Sequence, residues 1–380
     1  MSPIANALAI PLISLAVVPL VLLATLPWFE WLLPIAHGLL SIGMDVLIWL
    51  NELPAAVWQQ HAPPLWTVIT ALVGVIWILL PGGLGVGFLT GFPARWLGFV
   101  ALLPLFLIKP LKPEAGELWL TVLDVGQGLA VVARTQHHAL LFDTGPRFGD
   151  TDSGERIIVP FLRGEGIEYL DTLIVSHADT DHSGGAMSVL AALPVQRILS
   201  SLPHHHSLQS QGVHHGPCRA GESWYWDNVH FELLHPSEAD IANGHGKTNA
   251  SSCVLKITST HGSVMLPSDI GAVEELELLH RQPDKLKANV MIAPHHGSNT
   301  SSTMAFIKQV DPELTVFTVG YLNRYGHPRK HIVERYRQMG SRVLRTDQHG
   351  AVLLRFSSQQ WSFEHWRQLH RRYWQQDEVN

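Results

Sequence analysis

Charge is spread so unevenly along this chain that its two ends cannot be built for the same solvent. From Met1 to Phe29 there is no charged side chain, from Leu53 to Ala94 there is none apart from the titratable His61, and nearly all charged residues follow Lys109. A helix needs roughly 20 apolar residues to cross a bilayer, because in hydrocarbon every backbone N–H and C=O must be satisfied within the helix itself. Leu8 to Trp28 and Leu65 to Leu89 meet that need, the second thinning into Pro81-Gly82-Gly83. Trp96 to Ile108 is shorter and ends at Lys109 and Lys112, whose ammonium groups can snorkel to headgroups. Trp31 to Leu50 carries His37 and Asp45, so it is either a helix turned toward protein or water, or an amphipathic segment lying in the interface. The first run lacks a basic leader and is followed by further apolar spans, which argues against a signal peptide. Arg95, Lys109 and Lys112 are too few to set the orientation of the spans.

The pattern changes near Pro113. Residues 1–113 are expected to form a membrane segment of about three to four apolar helices, residues 114–365 a folded domain, and residues 366–380 a basic and aromatic tail. A net charge of -6 excludes a protein held to nucleic acid by overall charge and leaves only local basic patches for that purpose. Two cysteines, Cys218 and Cys253, cannot make a disulfide framework or a thiolate-only zinc site. They would pair outside the cytoplasm and remain buried thiols within it. Twenty-three histidines, many of them clustered, point to metal chemistry, although His204-His205-His206 and His214-His215 read as loop.

Beyond Leu118 short β-branched runs alternate with amphipathic stretches. Strands are expected at 118–125, 129–134, 139–142, 171–176, 230–234, 253–258, 263–266, 290–293, 314–319, 342–346 and 351–356, and helices at 155–163, 185–192, 273–280, 303–310 and 329–339. Hairpins come first and last while helices punctuate the middle. That order favours an α/β fold of two mixed sheets with helices outside over a doubly wound parallel sheet. Ligand-type residues follow the strands: Asp143-Thr144-Gly145 after Phe142, Ser176-His177 after Val175, Pro267-Ser268-Asp269 after Leu266, and Pro294-His295-His296-Gly297-Ser298 after Ala293. In an α/β architecture the carboxyl ends of strands share one edge, so these residues can converge in one cleft.

The central motif is His177-Ala178-Asp179-Thr180-Asp181-His182, which concentrates imidazoles and carboxylates on a turn between a strand and a Gly-Gly helix start. Carboxylates this close repel one another unless cations neutralise them. A helix cap would account for one acidic residue but not for the histidines.

This segment resembles the metallo-β-lactamase superfamily motif HxHxDH in the variant HxDxDH, and its surroundings resemble the ComEC family of competence proteins. The matching strings are Leu123-Asp124-Val125-Gly126-Gln127-Gly128, Phe142-Asp143-Thr144-Gly145, Ser176 to Gly185, Pro294-His295-His296-Gly297-Ser298 and Asn323-Arg324-Tyr325-Gly326-His327-Pro328. The apolar N-terminal part is similar to the end of that family's membrane channel domain. The family's N-terminal soluble domain and most of its channel helices have no counterpart, so a fragment of a longer protein is expected. The resemblance implies N-terminal transmembrane α-helices followed by a metallo-β-lactamase-like αββα sandwich. It implies a multi-pass place in the cell membrane, with the hydrolase domain on the outer face. The implied function is a metal-dependent phosphodiesterase, a nuclease acting on DNA during uptake in natural transformation. Its implied partners are single-stranded DNA, the lipid bilayer and the remaining channel parts.

By the same resemblance, His177 and Asp179 would hold a first metal, Asp181 and His182 a second, and Asp269 would bridge them. His296, with His295 as its rival, would be a further ligand of the second metal. Where the superfamily has a third histidine for the first metal this sequence offers Asn249, with Lys247 nearby. Oxygen in place of imidazole hardens the site, so manganese or magnesium competes with zinc for the two positions. Asp181, Asp143, His295 and His327 are the expected catalytic residues. Asp143 would orient a ligand or the water, or else simply form a turn before Gly145. His327 would donate to substrate or serve a Gly-Pro turn. Ser298, Ser301 and Ser302 suit phosphate binding or plain capping, and Gln127, Lys247, Arg324 and Arg329 complete the expected substrate contacts. Gly126 and Gly128 permit close backbone approach.

Arg324, Arg329, Lys330, His331, Arg335 and Arg337 form one basic cluster; Arg367, His370, Arg371 and Arg372 alternate with Trp366, Tyr373 and Trp374 in another. Both suit a DNA strand or a solvated face. The rival function is a passive DNA-guiding domain of a transport protein, which Asn249 favours and the retained ligands oppose. Hydrolysis of β-lactams or thioesters is disfavoured because those relatives are expected to carry HxHxDH with a third histidine.

Overall fold

The computed structural model describes residues 2–53, 60–80, 95–203, 206–210, 212–242, 248–358 and 360–371. The chain forms two compact units, Met1–Gln60 and His61–Asn380.

In the first unit one continuous helix runs from Ser2–Pro11 through a π-helical Leu12–Val17 into Val18–Leu23. The wide turn lies just before Pro19, which has no N–H to give and whose ring would crowd the Leu15 carbonyl in regular α geometry. The chain then turns through Trp28, at a φ of 77°, and enters the helix Leu32–Glu52. Pro3–Leu23 and Leu32–Glu52 are each long and apolar enough to cross a membrane, with mean hydropathies of 2.3 and 1.6. The stretch with His37 and Asp45 is therefore one unbroken helix. Gly43 lies where the two helices meet, because any side chain there would strike Leu12.

The second unit opens with two shorter apolar helices, Leu65–Leu79 and Trp96–Leu107. They cross at Gly74 and Gly98: a Cβ on either glycine would stand 2.6 Å from the other's carbonyl oxygen. Such close backbone approach is how apolar helices gain contact where no hydrophobic effect drives them together. The part of the expected second span from 81 to 89 lies outside the described residues.

The rest is a four-layer αββα sandwich. In spatial order one sheet contains Trp361–His365, Val352–Phe356, Leu118–Val122, Val131–Arg134, Ala139–Phe142, Leu170–Val175, Val195–Ser200 and His214–Pro217. The other contains Arg342–Arg345, Leu314–Phe317, Val290–Ile292, Gly262–Leu266, Val254–Ser259, Val229–His235 and Ser223–Trp226. Alternate residues divide between two cores. Leu118, Leu120, Val131 and Phe142 face the opposite sheet's Phe231, Leu255, Val290 and Val316, while Val132, Leu141 and Leu173 face the helices. Both faces are buried, which is why these strands read as apolar runs rather than as alternating ones.

Part of each sheet is parallel: Ala139–Phe142, Leu170–Val175, Val195–Ser200 and His214–Pro217 in the first, Gly262–Leu266, Val290–Ile292, Leu314–Phe317 and Arg342–Arg345 in the second. Their carboxyl ends share one rim, so Asp143, His177, Asp269, His295 and His296 follow strands that finish together.

Expected strands and helices recur with shifts of a few residues at their ends. Strands His214–Pro217, Ser223–Trp226 and Trp361–His365 were not expected, and all three are sheet edges. An edge strand has one neighbour and leaves part of its surface to water, so it lacks an apolar run. Val195–Ser200 was also unexpected; Gln196 and Arg197 interrupt it, and only Ile198–Ser200 is buried. The C-terminal tail begins as a short helix, Trp366–Leu369. There Arg367 pairs with Asp124 at 3.5 Å, whereas Arg372, Tyr373 and Trp374 lie outside the described residues.

Cys218 and Cys253 form a disulfide that ties the last strand of the first sheet to the second. Beside it, the Cys253 N–H donates to the Ser176 carbonyl across the sheets at 3.1 Å. Protein purified under thiol-blocking conditions should accept no alkylating reagent under denaturation until a reductant is added, as read by intact mass; two alkylated cysteines without reduction would contradict the bond.

Candidate metal centre

The rim is built on a backbone that few side chains accept. Asp143, Ser268, His295 and His296 have φ of 58°, 53°, 49° and 53°, the left-handed region that ordinary residues seldom occupy. Such conformations persist where surrounding contacts overdetermine them, and they cluster at functional sites. Gly128 supplies another special position, because a Cβ there would collide with the Asp181 carbonyl. This lets the Leu129 N–H donate to that carbonyl at 3.1 Å and seats the 126–129 loop against the centre.

From this rim the imidazoles converge. His182 Nε2 stands 3.2 Å from Asp269 Oδ1 and 3.1 Å from His296 Nε2; His296 Nε2 is 3.4 Å from Asp181 Oδ2 and 3.6 Å from Asp269 Oδ1. His177 Nε2 is 3.7 Å from Asp179 Oδ2. Two overlapping sets result, His177 with His182 and Asp269, and Asp181 with His182 and His296, each with its donor atoms within 4.8 Å of one another. Two donors on one tetrahedral cation are about 3.3–3.6 Å apart when each bond is about 2.0–2.2 Å, so these separations already match ligands of a shared ion.

Protons are arranged to leave lone pairs facing inward. The buried Asp143 carboxylate accepts from Ser176 N–H, from Ser176 Oγ and from His182 Nδ1, each at 2.7 Å. A carboxylate only accepts here, so His182 carries its proton on Nδ1 and, when neutral, offers Nε2 to the centre. The Ser176 hydroxyl, having donated to Asp143, accepts from Ser268 Oγ at 2.6 Å and from His177 Nδ1 at 3.0 Å. His177 Nε2 is then a buried nitrogen with no hydrogen-bond partner among the described residues, the signature of a ligand position. His296 Nδ1 is held by Thr318 Oγ1 at 3.0 Å. The donor set therefore fits divalent metal ions.

Electrostatics agree. Burial disfavours a charge on His182, yet Asp269 and Asp143 outweigh it and hold the ring's pKa well above its ordinary value. Burial would raise the carboxyls of Asp269 and Asp181, but His182 and His296 draw the first well below the usual range and the second to about 2. The pocket calls for positive charge.

Around this centre His295 reaches Asp269 Oδ2 at 3.7 Å and takes up Asn249 Nδ2 at 3.4 Å and Thr300 Oγ1 at 3.1 Å. His327 lies with its ring centroid 6.2 Å from that of His295. Gln127 Oε1 accepts from Gly320 N–H at 3.3 Å. Ser301 is buried and donates to the Pro294 carbonyl at 2.9 Å, Ser298 meets Thr300 Oγ1 at 3.1 Å, and the Ser302 N–H donates to Glu275 at 2.5 Å, so these residues shape the histidine loop. Arg324 and Arg329 are exposed on the 320–329 loop. Lys247 lies outside the described residues. Ser176, Ser252, Ser268 and Thr318, which carry no metal-ligand signature in the sequence, buttress the imidazoles; their only signal is a hydroxyl close to a strand end.

A family model described as "Metallo-beta-lactamase superfamily" matches residues 123–320, more than half of the chain. The chain belongs to the metallo-beta-lactamase superfamily. That superfamily consists in general of metal-dependent hydrolases, and this member joins its metallo-beta-lactamase domain to an N-terminal stretch, residues 1–84, that matches a model described as "Competence protein". Competence protein ComA of Neisseria gonorrhoeae is 35% identical over 354 residues, 92% of this chain and 47% of that protein. The Escherichia coli protein YcaI is 32% identical over 94% of this chain and 45% of its own length, so the chain spans about half the length of these relatives. ComE operon protein 3 of Bacillus subtilis is 31% identical over 68% of the chain and 35% of that protein. Among solved structures, a metallo hydrolase of Ignicoccus hospitalis (TM-score 0.42, 13% identity, 62% of this chain and 98% of that one) and the metallo-beta-lactamase fold protein YhfI of Bacillus subtilis (TM-score 0.39, 13% identity, 60% and 96%) are similar.

Replacing Asp143 by asparagine puts an amide donor against His182 Nδ1 and favours the wrong tautomer. Asp143→Asn should weaken metal binding by about ten- to a hundred-fold, read by titrating metal-stripped protein with manganese or zinc. A second expectation concerns Glu275, which fixes the Ser302 and Thr303 N–H groups and which burial pushes from 4.5 up to about 7. A carboxyl raised in the folded state favours folding while protonated, so its contribution is present below 4.5 and is lost as pH rises through about 7. Glu275→Gln should flatten that decline in parallel thermal unfolding of both proteins in chelator.

Proposed function

We propose that this chain is a membrane-anchored, metal-dependent phosphodiesterase that cuts DNA, held as a single strand, during DNA uptake. What carries the reading is the convergence of His177, Asp181, His182, Asp269 and His296, with the Nε2 atoms inward and that of His177 buried without a partner among the described residues. His177 and Asp179 would hold one ion, Asp181, His182 and His296 the other, with Asp269 between; Asn249, whose Oδ1 accepts from Thr248 Oγ1 at 3.0 Å, would contribute that oxygen only after its amide turns. Manganese and zinc are the leading ions and magnesium the third. Bound there, the pair would supply Lewis acidity toward a phosphate oxygen and lower the pKa of a water.

The protein's own part is positioning. Asp143 locks the His182 ring, and Ser176 and Ser268 pass that restraint to His177. Burial and the neighbouring His296, His295 and Arg329 lower His327 to a pKa of about 4, so it stays neutral and can donate one N–H to a phosphate oxygen. Beside it the 320–328 loop is tied by Asn323, which donates to the carbonyls of Gly320 at 3.0 Å and His327 at 2.6 Å. That loop exposes Tyr321, Leu322 and Tyr325, with the Arg324 guanidinium 5.0 Å from the Tyr325 ring centroid. Exposed aromatics backed by arginine suit stacked bases and phosphates of a single strand.

The relative named competence protein ComA, with the "Competence protein" model over residues 1–84, supports DNA as the substrate and the remaining channel as partner. Ser2–Leu23 and Leu32–Glu52 would span the bilayer, residues 1–113 forming the membrane segment, 114–365 the hydrolase domain and 366–380 its tail. The Cys218–Cys253 bond favours an outer, oxidising face for the domain.

The full chain in detergent, given labelled single-stranded DNA and manganese, should cleave it. Asp181→Ala should lower the rate by more than about a hundred-fold, beyond the cost of losing an outer partner of a metal ligand. Tyr325→Ala should raise KM about ten-fold while leaving kcat nearly unchanged, as expected for one lost stacking contact. DNA bound equally by wild type and Asp181→Ala, and cut by neither, would instead support the passive guiding domain.

A further inference from the structure

We propose a second, separate divalent-cation site, suited to zinc, formed by His235, Asp240 and Glu277 on the outer side of the second sheet. His235 ends the strand Val229–His235, Asp240 lies on the short helix Glu238–Ala242 and Glu277 on the helix Ala272–Arg281. One donor atom from each lies within 4.8 Å of the others.

One lone pair in this cluster has nowhere else to go. His235 is fully buried, and its Nδ1 lies 2.9 Å from the Ser252 carbonyl, which can only accept. The ring proton is therefore on Nδ1, and in the neutral ring Nε2 presents its lone pair. That nitrogen has no hydrogen-bond partner among the described residues, yet Asp240 Oδ2 lies only 3.4 Å away. A buried imidazole lone pair and a half-buried carboxylate oxygen this close repel unless a proton or a metal ion lies between them. A metal fits the gap by size, since ligands of one tetrahedral zinc are about 3.3–3.6 Å apart for bonds of about 2.0–2.2 Å.

The neighbours are compatible. Ser237 N–H and Oγ donate to Asp240 Oδ2 at 2.7 and 2.5 Å and orient the carboxylate, as partners of metal ligands commonly do. Arg281 stands 3.9 Å from the same oxygen but directs its other terminal nitrogen to the Leu234 carbonyl at 2.7 Å. Glu277 is exposed, so the third ligand closes the site from solvent and leaves a fourth position for water. An ion there would clamp the 236–242 segment onto the helix Ala272–Arg281. Ser252 meets His235 through its carbonyl and His177 through its hydroxyl at 3.3 Å, so the two centres share one residue.

Metal-stripped full chain in detergent, reloaded with zinc and desalted, should retain about one equivalent more zinc per chain than the Asp240→Asn, Glu277→Gln double variant treated alike. Glu277→Gln alone should weaken that equivalent about ten-fold or more, whereas Glu277→His, which replaces a carboxylate by imidazole, should keep it. Equal zinc content and an equal zinc-induced rise in unfolding temperature across wild type and variants overturn the site. Should the double variant not fold, the exposed Glu277 pair decides alone: identical zinc dissociation constants for Glu277→Gln and wild type overturn it. None of these changes touches Asp181 or His296, so the outcome is independent of whether the chain cuts DNA.

Discussion

Carboxylates brought together away from water are the constraint that the rest of the domain answers. Asp143 and Asp269 are buried and Asp181 is half-buried, and all three surround the two imidazoles of His182 and His296. Such a group is stable only with compensating positive charge, which protonated histidine supplies in part and divalent ions supply fully. The Nδ1 hydrogen bonds of His177, His182 and His296 therefore run outward to a hydroxyl or carboxylate, and their Nε2 atoms face the centre.

Holding that arrangement needs a rigid frame. Two sheets, each ending its parallel strands on the same rim, set the distances between segments far apart in sequence. Left-handed residues at Asp143, Ser268, His295 and His296 turn the side chains inward immediately after those strands. The cross-sheet disulfide and the Cys253–Ser176 hydrogen bond lie next to His177, where movement of one sheet against the other would disturb the centre most. Strain at the ends of strands is thus supported by order in the layers beneath.

The N-terminal part has a different surface. Its helices expose Leu15, Ile42, Leu72 and Phe99, side chains that a water-facing surface would not display in such density. Where those helices touch, glycines replace side chains at Gly43, Gly74 and Gly98, so that contact comes from backbone proximity rather than from escape from water.

Much of this was legible in the primary structure. The charge-free runs announced apolar helices, and the strings around His177 to His182, Asp269 and His295-His296 announced a metal-binding rim, because both signals depend on residue type and local spacing. Most interior strands were legible too, since burial on both faces writes a continuous apolar run; Val195–Ser200, interrupted by Gln196 and Arg197, was not. Edge strands such as Ser223–Trp226 were not, because one neighbour and a wet face leave no such mark. Nor did local sequence reveal that Ser176 connects Asp143 to His177, that Cys218 meets Cys253, or that His235 faces Asp240 with an unshared lone pair. Those relations join segments tens of residues apart, and only the packing of one sheet on the other brings their atoms within bonding distance.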